Sequence, residues 1–337
     1  MPRLVRWSAP AVPFRADHVG PGREFLRRAE ARGDLMRLAP GVYIAATAVN
    51  GEPGQLHLLR ALARQLRHVN PIVASHETAG LLHGIPLRHS NAVPATPRFV
   101  LDPSAGRNRP GTPRIRVVAI PSDQVITIRA GQLEGLRATD PTRTALDLAS
   151  EAALPFALMA LDHVARHEAL RTSAPWELRG PAVPEEVLAA SRMRLLAVHA
   201  TLSRRGRRRR REALALVDPR HESPGESASL AQIYLAGLPL PTPQARINTG
   251  KGPFYPDFYW SDFGVVGECD GAMKYLGGTT HAGQAAADAR RVAEKRRELA
   301  IRRTGLYPVR WMASEAMYAP DDWLAELGAA LRAGGWR

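Results

Sequence analysis

Tyr255-Pro256-Asp257-Phe258, followed by Gly267-Glu268-Cys269-Asp270-Gly271 and then Lys274-Tyr275, is the stretch on which the fold turns. Carboxylates sit at the ends of two apolar runs, each short enough to be one strand. Alternate residues of a strand share a face, so Glu268 and Asp270 point one way and Cys269 the other. Asp257, on the preceding strand, can be brought alongside. Two or three carboxylates with a backbone carbonyl and water suit Mg²⁺. Such an ion activates a water and neutralises charge building on a phosphate. Lys274 stands where it could orient that water or stabilise the transition state. The plainer alternative makes Asp257 a turn carboxylate and Asp270-Gly271 the turn that closes the strand.

The residues around this stretch predict a helix, three strands, a helix, a strand and a final helix. Ser223-Pro224-Gly225-Glu226 has the capping-box pattern with proline at the first helical position, and the helix it opens stops at Gly237. Glu226 is therefore first a capping residue and second a candidate acid. Residues Ala245–Thr249 and Phe254–Trp260 predict a hairpin around Gly250-Lys251-Gly252, and Gly264–Cys269 a β-branched inner strand. Gln284–Arg303 predicts a long helix, Leu306–Trp311 a strand and Asp321–Arg332 a covering helix. The aromatic residues Tyr255, Phe258, Tyr259 and Trp260 could stack on bases, but alternation directs about half of them to the core.

Farther upstream, Arg23–Arg32 predicts a helix ending at Gly33, followed by two strands that turn at Pro40-Gly41. Helix then hairpin is the tail of a winged helix, and equally of any helix packed on a hairpin. A helix is expected over Gln55–Arg67, with strands at Arg98–Leu101, Arg114–Ile120 and Val125–Ile128. Thr139 or Asp140 can cap a helix that begins at Pro141. More helix is expected over Ala152–His167 and Pro184–Leu202. Ser203-Arg204-Arg205-Gly206 leads into Arg207, Arg208, Arg209, Arg210 and Arg211. This run reads as a solvated linker or helix end, or as a phosphate-binding arm.

The expected domain limits are residues 1–47, a winged-helix-like segment; 48–202, a mixed α/β region; 203–219, an arginine-rich linker; and 220–337, the acid-bearing domain. The fold class is thus multi-domain α+β or α/β. At 337 residues with a net charge of +14, the chain favours a polyanionic partner. Residues 220–337 hold 14 Lys and Arg against 13 Asp and Glu, which leaves residues 1–219 with 32 against 19. The basicity is therefore upstream of the acids. The chain has three lysines, Lys251, Lys274 and Lys295, all in the acid-bearing region, where a compact point charge has a use that arginine does not share. Cys269 is the single cysteine, so no intrachain disulfide or cysteine-based zinc cluster forms. No apolar run approaches the ~20 residues that span a bilayer. A reducing cytoplasm is the expected setting. His163 and His167 have zinc-like spacing but lack an evident third ligand. Nucleotide-binding glycine loops and the common hydrolase signatures are absent.

The order α-β-β-β-α-β, with Pro256-Asp257 on one strand and Glu268-x-Asp270 on the next, resembles the PD-(D/E)XK restriction-endonuclease-like fold. It is most similar to the branch that includes very-short-patch-repair-type nucleases. The longer pattern of Asp257-Phe258, Gly267-Glu268-x-Asp270-Gly271-x-x-Lys274-Tyr275, Glu294-Lys295-x-Arg297-Glu298, Gly305 and Val309-Arg310-Trp311 resembles an actinobacterial group. In that group the domain follows an antitoxin-like half of AbiEi type. Gly33 to Leu38 with Gly41-Val42-Tyr43, Ser75 to Gly84, and Thr139 to Leu148 are similar to that half. The resemblance implies metal binding at Asp257 and Glu268, with Glu226 as an extra acid. It also places a lysine where this chain has Asp270, so Lys274 or Lys295 is the migrated catalytic lysine, or the domain is inactive.

Two functions are therefore expected. One is a DNA-binding protein with a Mg²⁺- or Mn²⁺-dependent endonuclease domain. The alternative is a non-enzymatic transcriptional regulator or antitoxin, partnered by a cognate toxin protein, that keeps the nuclease fold as a scaffold. Neither involves a membrane.

Overall fold

The computed structural model describes residues 9–18, 22–88, 93–101, 115–180, 183–250, 252–271 and 303–337. The protein is mixed α/β and divides into two compact units, Met1–Leu148 and Ala149–Arg337.

The first unit opens with β1 (Phe14–Arg15), α1 (Arg23–Ala31), β2 (Leu35–Ala39) and β3 (Val42–Ala45), the strands forming an antiparallel sheet in the order β1-β3-β2. Gly41, at φ +75°, makes the turn between β2 and β3, a conformation open to glycine at little cost. Helix α2 (Pro53–Arg67) places Leu59 and Ala63 against Leu38, Val42 and Ile44 of this sheet. Its neighbouring residues Ala61 and Leu62 face a second core with Ile72, Ala74, Phe99 and Leu136. That core belongs to β4 (Val73–Ala74), α3 (His76–Leu82), β5 (Phe99–Leu101), β6 (Arg116–Val117), β7 (Val125–Thr127) and β8 (Arg137–Thr139), with strand order β6-β5-β4-β8-β7. Because α2 is shared by both sheets, the expected boundary at residue 47 does not separate a compact unit.

Helix α4 (Pro141–Ala149) shows what the Thr139–Leu148 stretch does locally. Asp140 caps it by accepting the Arg143 N–H at 2.7 Å. The Arg143 guanidinium, 2% exposed, is spent on Asp147 and the side-chain oxygen of Gln124. These charges are internal fasteners. His83 likewise bonds the Thr139 carbonyl at 2.7 Å.

The second unit begins with α5 (Leu154–Ala169), α6 (Glu185–Thr201), α7 (Arg207–Leu216) and α8 (Pro224–Leu235). Most of α5 is buried, and α6, α7 and α8 all pack on it. The arginine run is thus not the expected linker at 203–219. Gly206, at φ +70°, turns the chain so close to Ser150 that a Cβ there would lie 2.7 Å from its backbone oxygen. Arg210 is buried and donates to Ser150 Oγ, the carbonyls of Arg205 and Ser203, and His199 Nδ1. Arg204, Arg205, Arg207, Arg208, Arg209 and Arg211 remain exposed.

After α8 come β9 (Thr242–Pro243), β10 (Ile247–Thr249), β11 (Gly252–Phe254), β12 (Phe258–Trp260), β13 (Val265–Asp270), β14 (Tyr307–Met312), α9 (Ala313–Tyr318) and α10 (Asp321–Ala333). A four-stranded sheet has the order β14-β13-β12-β9, antiparallel except for the parallel pair β13–β14. The expected strand Phe254–Trp260 is two strands: β11 pairs with β10 in a separate hairpin, and β12 enters the larger sheet. Pro256 has no N–H to give a ladder, and the break at 255–257 re-aims the chain. Core packing runs through Phe258 onto Trp311 (5.7 Å) and Trp311 onto Trp323 (4.4 Å), with Trp311 Nε1 donating to Ser229 Oγ. Of the four aromatics proposed for stacking, Phe258 and Trp260 are core residues. Among the described residues no helix is long and apolar enough to cross a membrane.

Candidate functional site

Glu226, Asp257 and Glu268 line one cavity of about 770 Å³, together with Arg179, Glu222, Gln244, Tyr255 and Met317. Glu226 comes from the first turn of α8. Ser223 Oγ accepts its N–H at 3.2 Å, as the capping pattern requires. The return half of the box is displaced, however: the carboxylate accepts Ser223 Oγ–H at 2.8 Å and the Glu222 N–H at 2.8 Å. Gly225 permits this placement, since a Cβ there would lie 2.6 Å from Ala313 Cβ and 2.8 Å from Cys269 Sγ.

Asp257 lies in the break before β12. If the β12–β13 register of Phe258 with Gly267 ran on, Pro256 would stand opposite Cys269. The Asp257 carboxylate instead accepts the Cys269 N–H at 2.8 Å. Gln244, buried and at the unusual φ of +52°, closes the arrangement. Its side-chain amide donates to Asp257 Oδ1 at 3.2 Å and to Glu226 Oε2 at 3.4 Å. Burial and then the nearby Asp257 charge raise Glu226 to about 7. Burial pushes the Cys269 thiol up to about 12, so it is not a nucleophile there.

Glu268 is buried on β13 and reaches the cavity, while Asp270 does not line it. Asp270 Oδ2 lies 3.9 Å from Arg310 Nη1 on β14. Sharing a strand face with Glu268 therefore does not bring Asp270 into the same cavity. Lys251, Lys274 and Lys295, the Gln284–Arg303 helix except its last residue, and the Glu294–Glu298 pattern lie outside the described residues. The exposed arginines 204, 205, 207, 208, 209 and 211 are not among the residues lining this cavity.

The acids offer oxygen donors of the kind that Mg²⁺ or Mn²⁺ takes. Burial, and then the Asp257 charge, hold the Glu226 carboxyl above its ordinary value, and a dication in the cavity would relieve the like-charge part. Glu226, Asp257 and Glu268 would hold such an ion, which would supply a polarised water. As the side chains stand, no group of three or more His, Cys, Asp or Glu among the described residues has metal-holding spacing. Gln244 bridges two of the acids instead.

Residues without a local sequence signal complete the site. Gln244 follows a proline on the edge strand β9, and Arg179 reaches the cavity from 43 residues before Glu222, which directly precedes the α8 cap. Behind them, His221 Nδ1 bonds Asp162 at 2.8 Å, both residues buried. Burial opposes the protonated imidazole, but Asp162, Asp218 and Glu226 outweigh it and raise His221 above its ordinary value. The rings of His163 and His167 meet at a tilt, with centres 4.5 Å apart.

Fold and site together define a mixed α/β protein with a carboxylate-lined cavity at the end of an inner strand. No family model matches the chain. It is 30% identical over 246 residues to the uncharacterized protein MT2308 of Mycobacterium tuberculosis strain CDC 1551 / Oshkosh, covering 73% of this chain and 77% of that protein. The uncharacterized protein Rv2248 of strain ATCC 25618 / H37Rv matches over the same extent and identity. The chain belongs to the family of these mycobacterial proteins.

Proposed function

We propose that the chain is a DNA-binding protein whose C-terminal unit is a Mg²⁺- or Mn²⁺-dependent endonuclease of the restriction-endonuclease-like class. The observation that carries this reading is the convergence of Glu226, Asp257 and Glu268 on one cavity, with Glu226 raised to about 7 beside Asp257. The sheet order, with one parallel pair beside an antiparallel one and a helix bearing the first acid, supports the same class. Asp257 and Glu268 would be the principal metal ligands and Glu226 an auxiliary acid. The basic residues 1–219, including the exposed arginines of α7, would hold the DNA by phosphate contacts that carry no sequence information. The helix-and-hairpin start of the first unit would be a reduced winged helix within an antitoxin-like half.

A second reading, the transcriptional regulator or antitoxin with a cognate toxin, is favoured by Asp270. It stands where the resemblance expects lysine, close to Arg310. One experiment separates the two. Purified protein is incubated with supercoiled plasmid and with single-stranded DNA in Mg²⁺ or Mn²⁺. The nuclease reading expects cleavage that Asp257→Ala and Glu268→Ala each abolish. If wild type and both variants are equally inert on every substrate, that reading is lost. Specific binding to the DNA upstream of its own gene without cleavage supports the regulator.

A further inference from the structure

Four carboxylates line the cavity: Glu222, Glu226, Asp257 and Glu268. A phosphate would be repelled from it without local positive charge. Arg179 is the one lysine or arginine among the described lining residues. It arises outside the strands and the helix that carry the acids, just after a short 3-10 turn, Pro175–Leu178.

Both of its flanks are fixed. Leu178, 1% exposed, is packed with Ala169, Val183 and Leu188. The Gly180 N–H donates to the backbone carbonyl of Gln244 at 2.6 Å. Gly180 has φ +78°, and a Cβ there would lie 3.3 Å from the Tyr255 ring, so glycine lets the chain approach this closely. The guanidinium is fixed too. Its Nε and Nη2 donate to the two oxygens of Glu222 at 2.9 and 2.8 Å. That side-on pairing engages one edge of the fork. No described residue accepts from Nη1, while the side chain remains 42% exposed. Glu222 is shared with Arg166, whose Nη2 lies 3.3 Å away. The Glu222 N–H in turn holds Glu226.

We infer that Arg179 is the residue that takes the substrate's phosphate at this cavity, an inference that rests on the phosphodiester reading above. The fork geometry suits an oxyanion, and a prepositioned guanidinium loses little freedom on binding. Arg179 is tied to both Gln244 and Glu222, the partners of the acid pair. A phosphate on Nη1 would therefore be held at a set distance from the acids.

The test compares wild type with Arg179→Ala, Arg179→Lys and Arg166→Ala. Arg166 shares Glu222 but does not line the cavity, so its variant reports loss of the ion-pair group alone. Two readouts are taken on one duplex oligonucleotide: cleavage kinetics in Mn²⁺, and binding by fluorescence anisotropy across a salt series in EDTA. Expected are a fall of roughly tenfold or more in kcat/KM for Arg179→Ala, and a shallower salt slope by about one. Arg179→Lys should recover part of both, and Arg166→Ala should stay within about twofold of wild type. If wild type cleaves and Arg179→Ala matches it, or if Arg166→Ala loses as much, the inference is overturned while the nuclease reading stands. If wild type binds but never cleaves, the nuclease reading fails and the salt slope alone decides Arg179. If wild type does not bind at all, both fall.

Discussion

The carboxylate of Asp257 accepts the backbone N–H of Cys269 at 2.8 Å, which fastens an acid from a broken strand to the inner strand beside it. Asp257→Ala is therefore expected to cost stability as well as any cleavage, by about 1–3 kcal/mol, because a buried N–H and the Gln244 amide lose their acceptor. Asp257→Asn keeps an oxygen for Cys269 and should cost less. Urea denaturation of both variants measures the difference, and equal stability of wild type and Asp257→Ala would contradict this account.

Glu226 makes the unit sensitive to pH. Its folded value of about 7 lies above the ordinary 4.5, so the folded state binds more protons between them. Stability tied to this group is full below about pH 4.5 and lost as pH rises toward 7, by about 3 kcal/mol. His221, raised by its carboxylate neighbours, loses its contribution in the same direction as pH rises. Glu226→Gln should flatten the unfolding free energy measured between pH 5 and pH 8 and leave the variant more stable than wild type at pH 8.

Asp162 and His221 are both buried and bonded to each other at 2.8 Å. Replacing Asp162 removes the acceptor of buried His221. Asp162→Ala should destabilise by about 1–3 kcal/mol, read from chemical denaturation. The Asp218–Glu222 segment should loosen with it, because Asp162 Oδ1 also accepts the Asp218 N–H at 2.9 Å.

Gly225→Ala places a methyl group 2.6 Å from Ala313 Cβ. The first turn of α8 must then shift away from β13 and α9. A loss of about 1–3 kcal/mol is expected, together with a change in the pH dependence assigned to Glu226. A variant with unchanged melting temperature and pH profile would mean that the turn adapts freely.

Within the arginine run, Arg210→Ala should cost about 2–4 kcal/mol, since four acceptors around a buried guanidinium lose their donor. Arg208→Ala should stay within about 0.5 kcal/mol of wild type. Thermal melts of the two single variants separate the fold determinant from the exposed charges.

Much of this arrangement is legible in the residues themselves. Ser223-x-x-Glu226 marks the start of α8, Gly264–Cys269 reads as the inner strand found at Val265–Asp270, and Asp140-Pro141 announces α4. What escapes sequence reading depends on distant partners. Period-two alternation gives Asp270 the same face as Glu268 but cannot show that Arg310, on a parallel neighbour, stands beside it. The break at Tyr255–Asp257 hides inside an apolar run because Pro256 also suits an edge strand. Gln244 meets Glu226 from 18 residues away and Arg179 meets Glu222 from 43, with no local pattern to announce either. Five consecutive arginines look equivalent until a helix turns one of them inward.

The two N–H groups of the Gln244 amide each point to a different acid, Glu226 and Asp257. An amide donates whichever neighbour holds the proton, so it does not choose between them. The bridge between α8 and the chain before β12 therefore survives a change in the protonation of Glu226. Gln244→Ala would remove that bridge from both acids at once and leave their mutual repulsion unrelieved.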